Sequence, residues 1–204
     1  MHKISFREDF RNQIRARTLQ TARELFEHEG YGSFSMRKLA AQLGYSPSAV
    51  YKHFANKNEV FDCLVDESFA ALMAASSAVV DFPGESPVER LKRGMWAYVN
   101  FGLKHPDHYR FAFLMRRPGG VVAQRPVYEG LKGRVQACVE GGHFSDGDVS
   151  LLAQSLWAAV HGITSLLILK PDFPWAPKEE LIGRTIDSAV HGLLTSAAHK
   201  GTRA

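Results

Sequence analysis

Two stretches of this chain carry side chains whose types and spacing suit them to grip a polyanion. In Ser46-Pro47-Ser48-Ala49-Val50-Tyr51-Lys52-His53-Phe54, Val50 and Phe54 stand one helical turn apart and turn toward a bracing core. Ser48, Ala49, Lys52 and His53 are then left to the outward face or its flanks. Small side chains at the start of this helix let its backbone approach base edges closely. Ser35 and Lys57 each stand at a helix start. Free backbone N–H groups and partial positive charge there join a hydroxyl or an ammonium in holding phosphate. The charge is placed accordingly. Residues 1–60 hold ten Lys/Arg against six Asp/Glu, so the whole net charge of +4 sits in them and the rest of the 204-residue chain is neutral. A solvated basic surface is the plainer explanation, and charge alone does not exclude it.

Other chemistry finds little support. His105-Pro106-Asp107-His108 gathers three metal-ligand types, but Pro106 marks a helix boundary, where polar residues are ordinary. No second cluster stands at metal-site spacing, and neither a metal nor a cofactor is expected. There is no G-x-S-x-G elbow, phosphate loop, H-E-x-x-H or dinucleotide fingerprint, so an enzyme would have to be a helical one without a recognisable motif. Cys63 and Cys138 are isolated and read as free, buried thiols.

The elements that must position these groups are helices. Ile14, Thr18, Ala22, Leu25 and Phe26 recur at helical steps up to Gly30, a natural C-terminal cap. Ser35 caps a second helix that Gly44 stops, and Ser46 with Pro47 starts a third, ending near Ala55. Asn56 and Glu59 have the spacing of a capping box and open a long fourth helix. Ser86-Pro87-Val88-Glu89 starts another that runs to about His105. Further helices are expected at Asp107–Arg116, Pro126–Glu140, Asp146–Lys170 and Lys178–His199, parted by Pro118-Gly119-Gly120, Gly141-Gly142 and the segment from Pro171 to Pro177. The stretch Leu151–Leu169 is apolar but interrupted by Gln154, Ser155, His161, Thr164 and Ser165, which makes it a poor unaided bilayer span. The mixed charges near the N-terminus lack the apolar core of a secretory signal, and a cytoplasmic protein is expected.

Two short helices joined by a tight turn, after a longer bracing helix, have the layout of a helix-turn-helix. The run from Gly30-Tyr31-Gly32-Ser33-Phe34-Ser35-Met36-Arg37-Lys38-Leu39-Ala40 through Leu43-Gly44-Tyr45-Ser46-Pro47-Ser48-Ala49-Val50-Tyr51-Lys52-His53-Phe54-Ala55-Asn56-Lys57 resembles the N-terminal domain of TetR-family transcriptional regulators. The Gly, the Tyr-x-x-Phe and the Lys three residues after that Phe carry the likeness jointly. It implies an all-α, TetR-like protein of about nine helices. A DNA-binding domain would span 11–71, with its helix-turn-helix at 35–54, and a ligand-binding and dimerisation domain 72–204.

By the same resemblance Ser35, Arg37, Tyr51, His53 and Lys57 contact the DNA backbone, with the Tyr51 ring packed and its hydroxyl toward phosphate. Ser46, Ser48, Ala49 and Lys52 lie where the family reads or skirts the bases. The family often has Gly where Ser48 stands and Thr where Ala49 stands, so base preference does not transfer. The implied partners are double-stranded DNA carrying an inverted repeat, a second copy of the chain, and a small organic effector whose binding releases a repressor. A DNA-binding protein that senses no ligand is the alternative.

Trp157-Ala158-Ala159-Val160-His161-Gly162 is similar to the Trp…His-Gly signature of one subgroup of TetR C-terminal domains. A core Trp beside a hydrogen-bonded His explains the same residues. Trp96, Phe101, Phe111, Phe113, Met115 and Trp157 fall on helices expected to surround the centre of the body, where cavities between helices hold small molecules. Trp96, Phe101, Phe111, Met115, Trp157 and His161 are therefore the candidate ligand contacts. Small residues recur on the last two helices, Ala153, Ala158, Ala159 and Gly162 on one and Ala189, Gly192 and Ser196 on the other, which predicts a four-helix dimer interface.

Overall fold

The computed structural model describes residues 6–78, 82–115 and 125–195, and the described residues are helical almost throughout. The helices are α1 (Phe6–Ser33), α2 (Met36–Leu43), α3 (Pro47–Tyr51), α4 (Lys57–Ser77), α5 (Pro87–Lys104), α6 (Pro106–Tyr109), α7 (Arg125–Glu140), α8 (Val149–Leu169) and α9 (Lys178–His191), with a π-helical turn, Arg110–Leu114, continuing α6. The chain divides into two compact units. Met1–Ser68 and Asp107–Val122 make the first, Phe69–Pro106 and Ala123–Ala204 the second.

The first unit closes around aromatic side chains. Phe26 of α1 stacks on Phe34 with ring centres 3.9 Å apart and meets Phe61 of α4 edge-on at 5.3 Å. Leu39, Leu43, Val50, Phe54, Val60, Leu64 and Phe111 complete this core. Each large side chain removed from water contributes roughly 1.5–3 kcal/mol, which fixes α2 and α3 on the bracing helices. In the second unit α5 and α8 pack on each other and on both α7 and α9. Leu91, Met95, Val99, Leu156, Val160, Ile163, Ile182 and Ile186 fill the space between them.

By length and composition alone α8 would pass for a membrane-crossing helix, with a mean hydropathy of 1.5. One of its sides is instead a buried stripe that includes Ala153, Leu156, Val160, Ile163 and Leu167.

Several boundaries differ from the sequence expectation, each for a local reason. Gly30 leaves helical geometry at φ 74 and ψ 169, but a further helical turn carries α1 on to Ser33. α8 starts at Val149 and not Asp146, because the Asp148 carboxylate accepts from the N–H of Ser150 at 2.8 Å and so caps the helix there. α9 stops at His191, short of His199. After it Ser145 donates to the carbonyl of Leu193 at 3.2 Å and Thr195 to that of His143 at 2.9 Å, and this pairing accompanies a fully buried Phe144. The expected Pro118-Gly119-Gly120 break, Arg116 and residues 196–199 lie outside the described residues. So does Ser196 of the expected dimer face.

Candidate nucleic-acid interface

Backbone geometry and caps set where the two short helices of the helix-turn-helix begin and end, while their buried side chains seat them on the core. Ser35 caps α2, its hydroxyl accepting from the N–H of Lys38 at 3.2 Å. Gly44, at φ 71, takes the left-handed turn that ends α2, and the N–H of Tyr45 then reaches the carbonyl of Ala40 at 2.9 Å. Ser46 caps α3 through the N–H of Ala49 at 3.3 Å. α3 itself is only five residues long, with Val50 its one buried side chain.

The expected DNA-facing residues fall on or beside this element. Arg37, Ser46, Ser48 and Lys52 are exposed, and Ser35, Ala49, His53 and Lys57 are half-buried. Ser48 shares a hydrogen bond with Ser46, Oγ to Oγ at 3.0 Å, so both hydroxyls sit at the N-terminus of α3. Tyr51 is 51% exposed, so its ring is not packed as expected. The inward role belongs to Val50 and Phe54, which occupy the adjacent core positions. Lys57 lies at the start of α4 with Nζ donating to the carbonyl of Tyr31 at 3.3 Å and standing 4.5 Å above the Tyr31 ring. Tyr31 in turn hydrogen-bonds Asn58.

The capping box of α4 is offset by one residue. The Asn56 side chain accepts from the N–H groups of Asn58 and Glu59, as such a cap requires. The Glu59 carboxylate reaches the N–H of Ala55 at 2.6 Å, one residue before the usual target.

Sequence reasoning passed over Arg15. Its guanidinium lies 4.5 Å above the Phe54 ring, donates to the carbonyl of His53 at 3.4 Å and to Cys63 Sγ at 3.0 Å. An Arg on α1 reads in sequence as one more basic surface residue, and only packing reveals that it reaches the end of α3. Burial raises the thiol pKa of Cys63, while Arg15 opposes that rise. Burial also pushes the Cys138 thiol up to about 11.

The candidate ligand contacts divide between the units. Phe111 is buried in the aromatic core of the first unit, and Met115 packs against that core. Trp96, Phe101, Trp157 and His161 belong to the second. There Trp96 lies against Gly183 of α9, where a Cβ would meet its ring at 3.5 Å, and Phe101 is buried. Trp157 Nε1 donates to the Tyr98 hydroxyl at 3.3 Å, and that hydroxyl lies 3.1 Å from His161 Nδ1. His161 Nε2 lies 3.4 Å from the Ser165 hydroxyl. Burial lowers the His161 pKa, which favours the neutral ring. Two clefts in this unit, of about 340 and 310 Å³, are lined by Pro87, Arg90 and Arg134 with neighbours and by Lys92, Asp187 and His191 with neighbours, and by none of the six candidates.

A basic first unit that presents a capped, exposed α3 on a bracing α1 and α4 defines a helix-turn-helix DNA-binding protein. Residues 19–64 match the family model of bacterial regulatory proteins of the tetR family, and residues 91–189 that of the tetracyclin repressor-like C-terminal domain. The chain belongs to the TetR family of DNA-binding transcriptional regulators. It is 25% identical over 190 residues to the nucleoid occlusion factor SlmA of Yersinia pseudotuberculosis, covering 87% of this chain and 94% of the relative. Among solved structures it is similar to the TetR-family transcriptional regulator PfmR of Thermus thermophilus, with a TM-score of 0.68 and 25% identity over 88% of this chain and 100% of the other. A tetR-family regulatory protein from Rhodococcus RHA1 shares the fold at a TM-score of 0.72, with 23% identity over 89% of this chain and 97% of the other.

Proposed function

We propose that the chain is a cytoplasmic repressor that binds an inverted-repeat operator as a homodimer and leaves it when a small organic effector binds. The observation that carries this reading is on α8. Leu151, Ser155, Ala158, Gly162, Leu166 and Leu169 follow one another at three- and four-residue steps down one side of that helix. The three leucines are 64, 47 and 48% exposed. Small and apolar side chains left uncovered by their own chain are what a close helix–helix contact across a two-fold axis requires. A second copy seated there supplies the second α3 that an inverted repeat needs.

In this reading Ser35, Arg37, Tyr51, His53 and Lys57 contact phosphates, while Ser46, Ser48, Ala49 and Lys52 lie along the base edges. The ligand-binding and dimerisation domain expected over 72–204 is then the second unit, without the segment Asp107–Val122 that belongs to the first. Trp157 and His161, linked through Tyr98, are the polar groups that orient the effector. Release follows if the effector binds more tightly to a dimer whose two α3 helices no longer match the operator spacing.

The name of the curated relatives, nucleoid occlusion factor, favours a second reading, a DNA-binding protein whose role is not the ligand-controlled release of one promoter. Selection of bound duplexes from a random pool, together with sedimentation of the free protein, tests the proposal. We expect an inverted-repeat consensus and a dimer. Recovery of no preferred sequence, with a steep salt dependence, rejects the operator-specific repressor.

A further inference from the structure

We propose that Arg15 is a positioning residue for sequence recognition, setting the seat of α3 from the side of α1. A helix of five residues does not hold itself together, so its orientation depends on what grips its ends. Ser46 and the Gly44 turn hold the first end. At the other end the Val50 carbonyl accepts from the N–H groups of His53 and Phe54 at 2.9 and 3.1 Å, and just past this turn the His53 carbonyl takes a hydrogen bond from Arg15 Nη1 at 3.4 Å. A cation there also matches the negative end of the helix. The same guanidinium covers the Phe54 ring at 4.5 Å, and its Nη2 is anchored on Cys63 of α4 at 3.0 Å. One planar group thus ties α1, the end of α3 and α4 together. Lysine offers the charge but not the fork that reaches two acceptors at once.

This assignment rests on α3 being the element that reads DNA, and it makes Arg15 unlike the exposed basic residues Arg11, Arg17 and Arg37. Those lie on the surface, where a phosphate can reach them. Arg15 spends its donors inside the protein. The two roles differ in their salt dependence, because losing a phosphate contact flattens the slope of log K against log salt by about 0.9, while losing a positioning contact leaves it unchanged.

The test uses the full-length protein with Arg15→Met, which keeps the stem, and Arg15→Lys. In the DNA-free protein, amide exchange over Ser48–His53 should quicken at least tenfold in Arg15→Met while the amides of α4 keep their protection. Binding is then measured against the best duplex from the random pool and a scrambled duplex of equal length. The ratio of the two affinities should fall about tenfold in Arg15→Met and less in Arg15→Lys, with the salt slope unchanged. Unaltered exchange at α3 overturns the proposal whatever the DNA result, and so separates its failure from that of the operator reading. A slope shallower by about 0.9 with the ratio preserved overturns it in favour of a phosphate contact. Equal loss on both duplexes with faster exchange throughout the first unit overturns it in favour of simple support of the fold.

Discussion

The guanidinium of Arg23, on α1, lies 3.1 Å from the carboxylate of Glu67, which stands one residue before the point where α4 leaves the first unit. Arg23 is only 7% exposed, a buried charge in a unit otherwise closed by aromatic rings. Its other partners are Asp107 at 3.6 Å and His108 Nδ1 at 3.4 Å, on the first residues after the chain returns to this unit. Ser68 completes the cluster, its hydroxyl 3.2 Å from His108 Nδ1. Arg23 therefore ties together the exit and the re-entry of the chain. Both carboxylates are more than a third exposed, so water screens much of the attraction. We expect Arg23→Met to cost about 1–2 kcal/mol, less than a fully buried pair would lose. Urea unfolding of the wild type and variant measures this; a change within about 0.5 kcal/mol, the usual range for a surface substitution, would mean the cluster holds nothing together.

His161 gives the second unit a pH dependence of defined sign. Its folded pKa is lowered from 6.5 by burial, so the unfolded chain takes up a proton first as the pH drops. The stability it contributes as a neutral ring is present above pH 6.5 and is lost as the pH falls through the lowered folded value. Protonation would also put a hydrogen on both ring nitrogens, so that Nδ1 could only donate toward the Tyr98 hydroxyl. Thermal melts between about pH 8 and pH 5 should fall more steeply for the wild type than for His161→Gln. Parallel curves would count against the assignment.

The layout of the first unit was legible in sequence because its signals are local. Ser35, Gly44, Ser46-Pro47 and Asn56 each act within a turn of the chain, and each does what its type and position imply. Arg15 and Arg23 were not legible. Their partners Cys63, Glu67 and Asp107 are distant in sequence, and nothing in the local pattern announces them. Phe111 illustrates the same limit, since its apolar spacing is the same whether it faces an effector or, as here, the core around Phe26 and Phe61. The end of α9 was missed because the pairing with His143 and Ser145 competes with further helix.

Lys57→Ala should weaken binding to every duplex by a similar factor. Its ammonium is steadied by the Tyr31 carbonyl and ring at the positive end of α4, a position suited to phosphate and blind to base identity. The salt slope should become shallower by about 0.9. Competition binding on several sequences at several salt concentrations reads both quantities; a loss confined to one sequence, with the slope unchanged, would place Lys57 on a base.

Ser48 and Lys52 should govern preference instead. Both are exposed on or just after α3, and a good base contact is worth about 1–3 kcal/mol. Ser48→Ala and Lys52→Ala are each expected to change the consensus recovered from a random pool at one or two positions of the half-site. Identical consensus sequences from both variants and the wild type would mean that α3 docks on another face.

The uncovered stripe of α8 makes the sharpest prediction about assembly. Gly162 stands in its middle, and a Cβ added there would meet no atom of its own chain within 4 Å beyond the adjoining helix backbone. Within one subunit, then, the start of a larger side chain is accommodated without displacement. Across a two-fold axis the same position would be crowded, because small residues set how closely two helices approach. Gly162→Trp should accordingly leave the far-ultraviolet spectrum unchanged, convert dimers to monomers in sedimentation, and weaken binding to an inverted repeat. Binding to a single half-site should survive, since α3 and its supports lie in the other unit. Gly192 is a poorer site for this test, because it caps α9 and a substitution there also disturbs the helix end. If Gly162→Trp sediments as a dimer with full affinity for the inverted repeat, α8 is not at the contact; if the wild type is itself a monomer when bound to its DNA, the dimeric repressor is wrong as a whole.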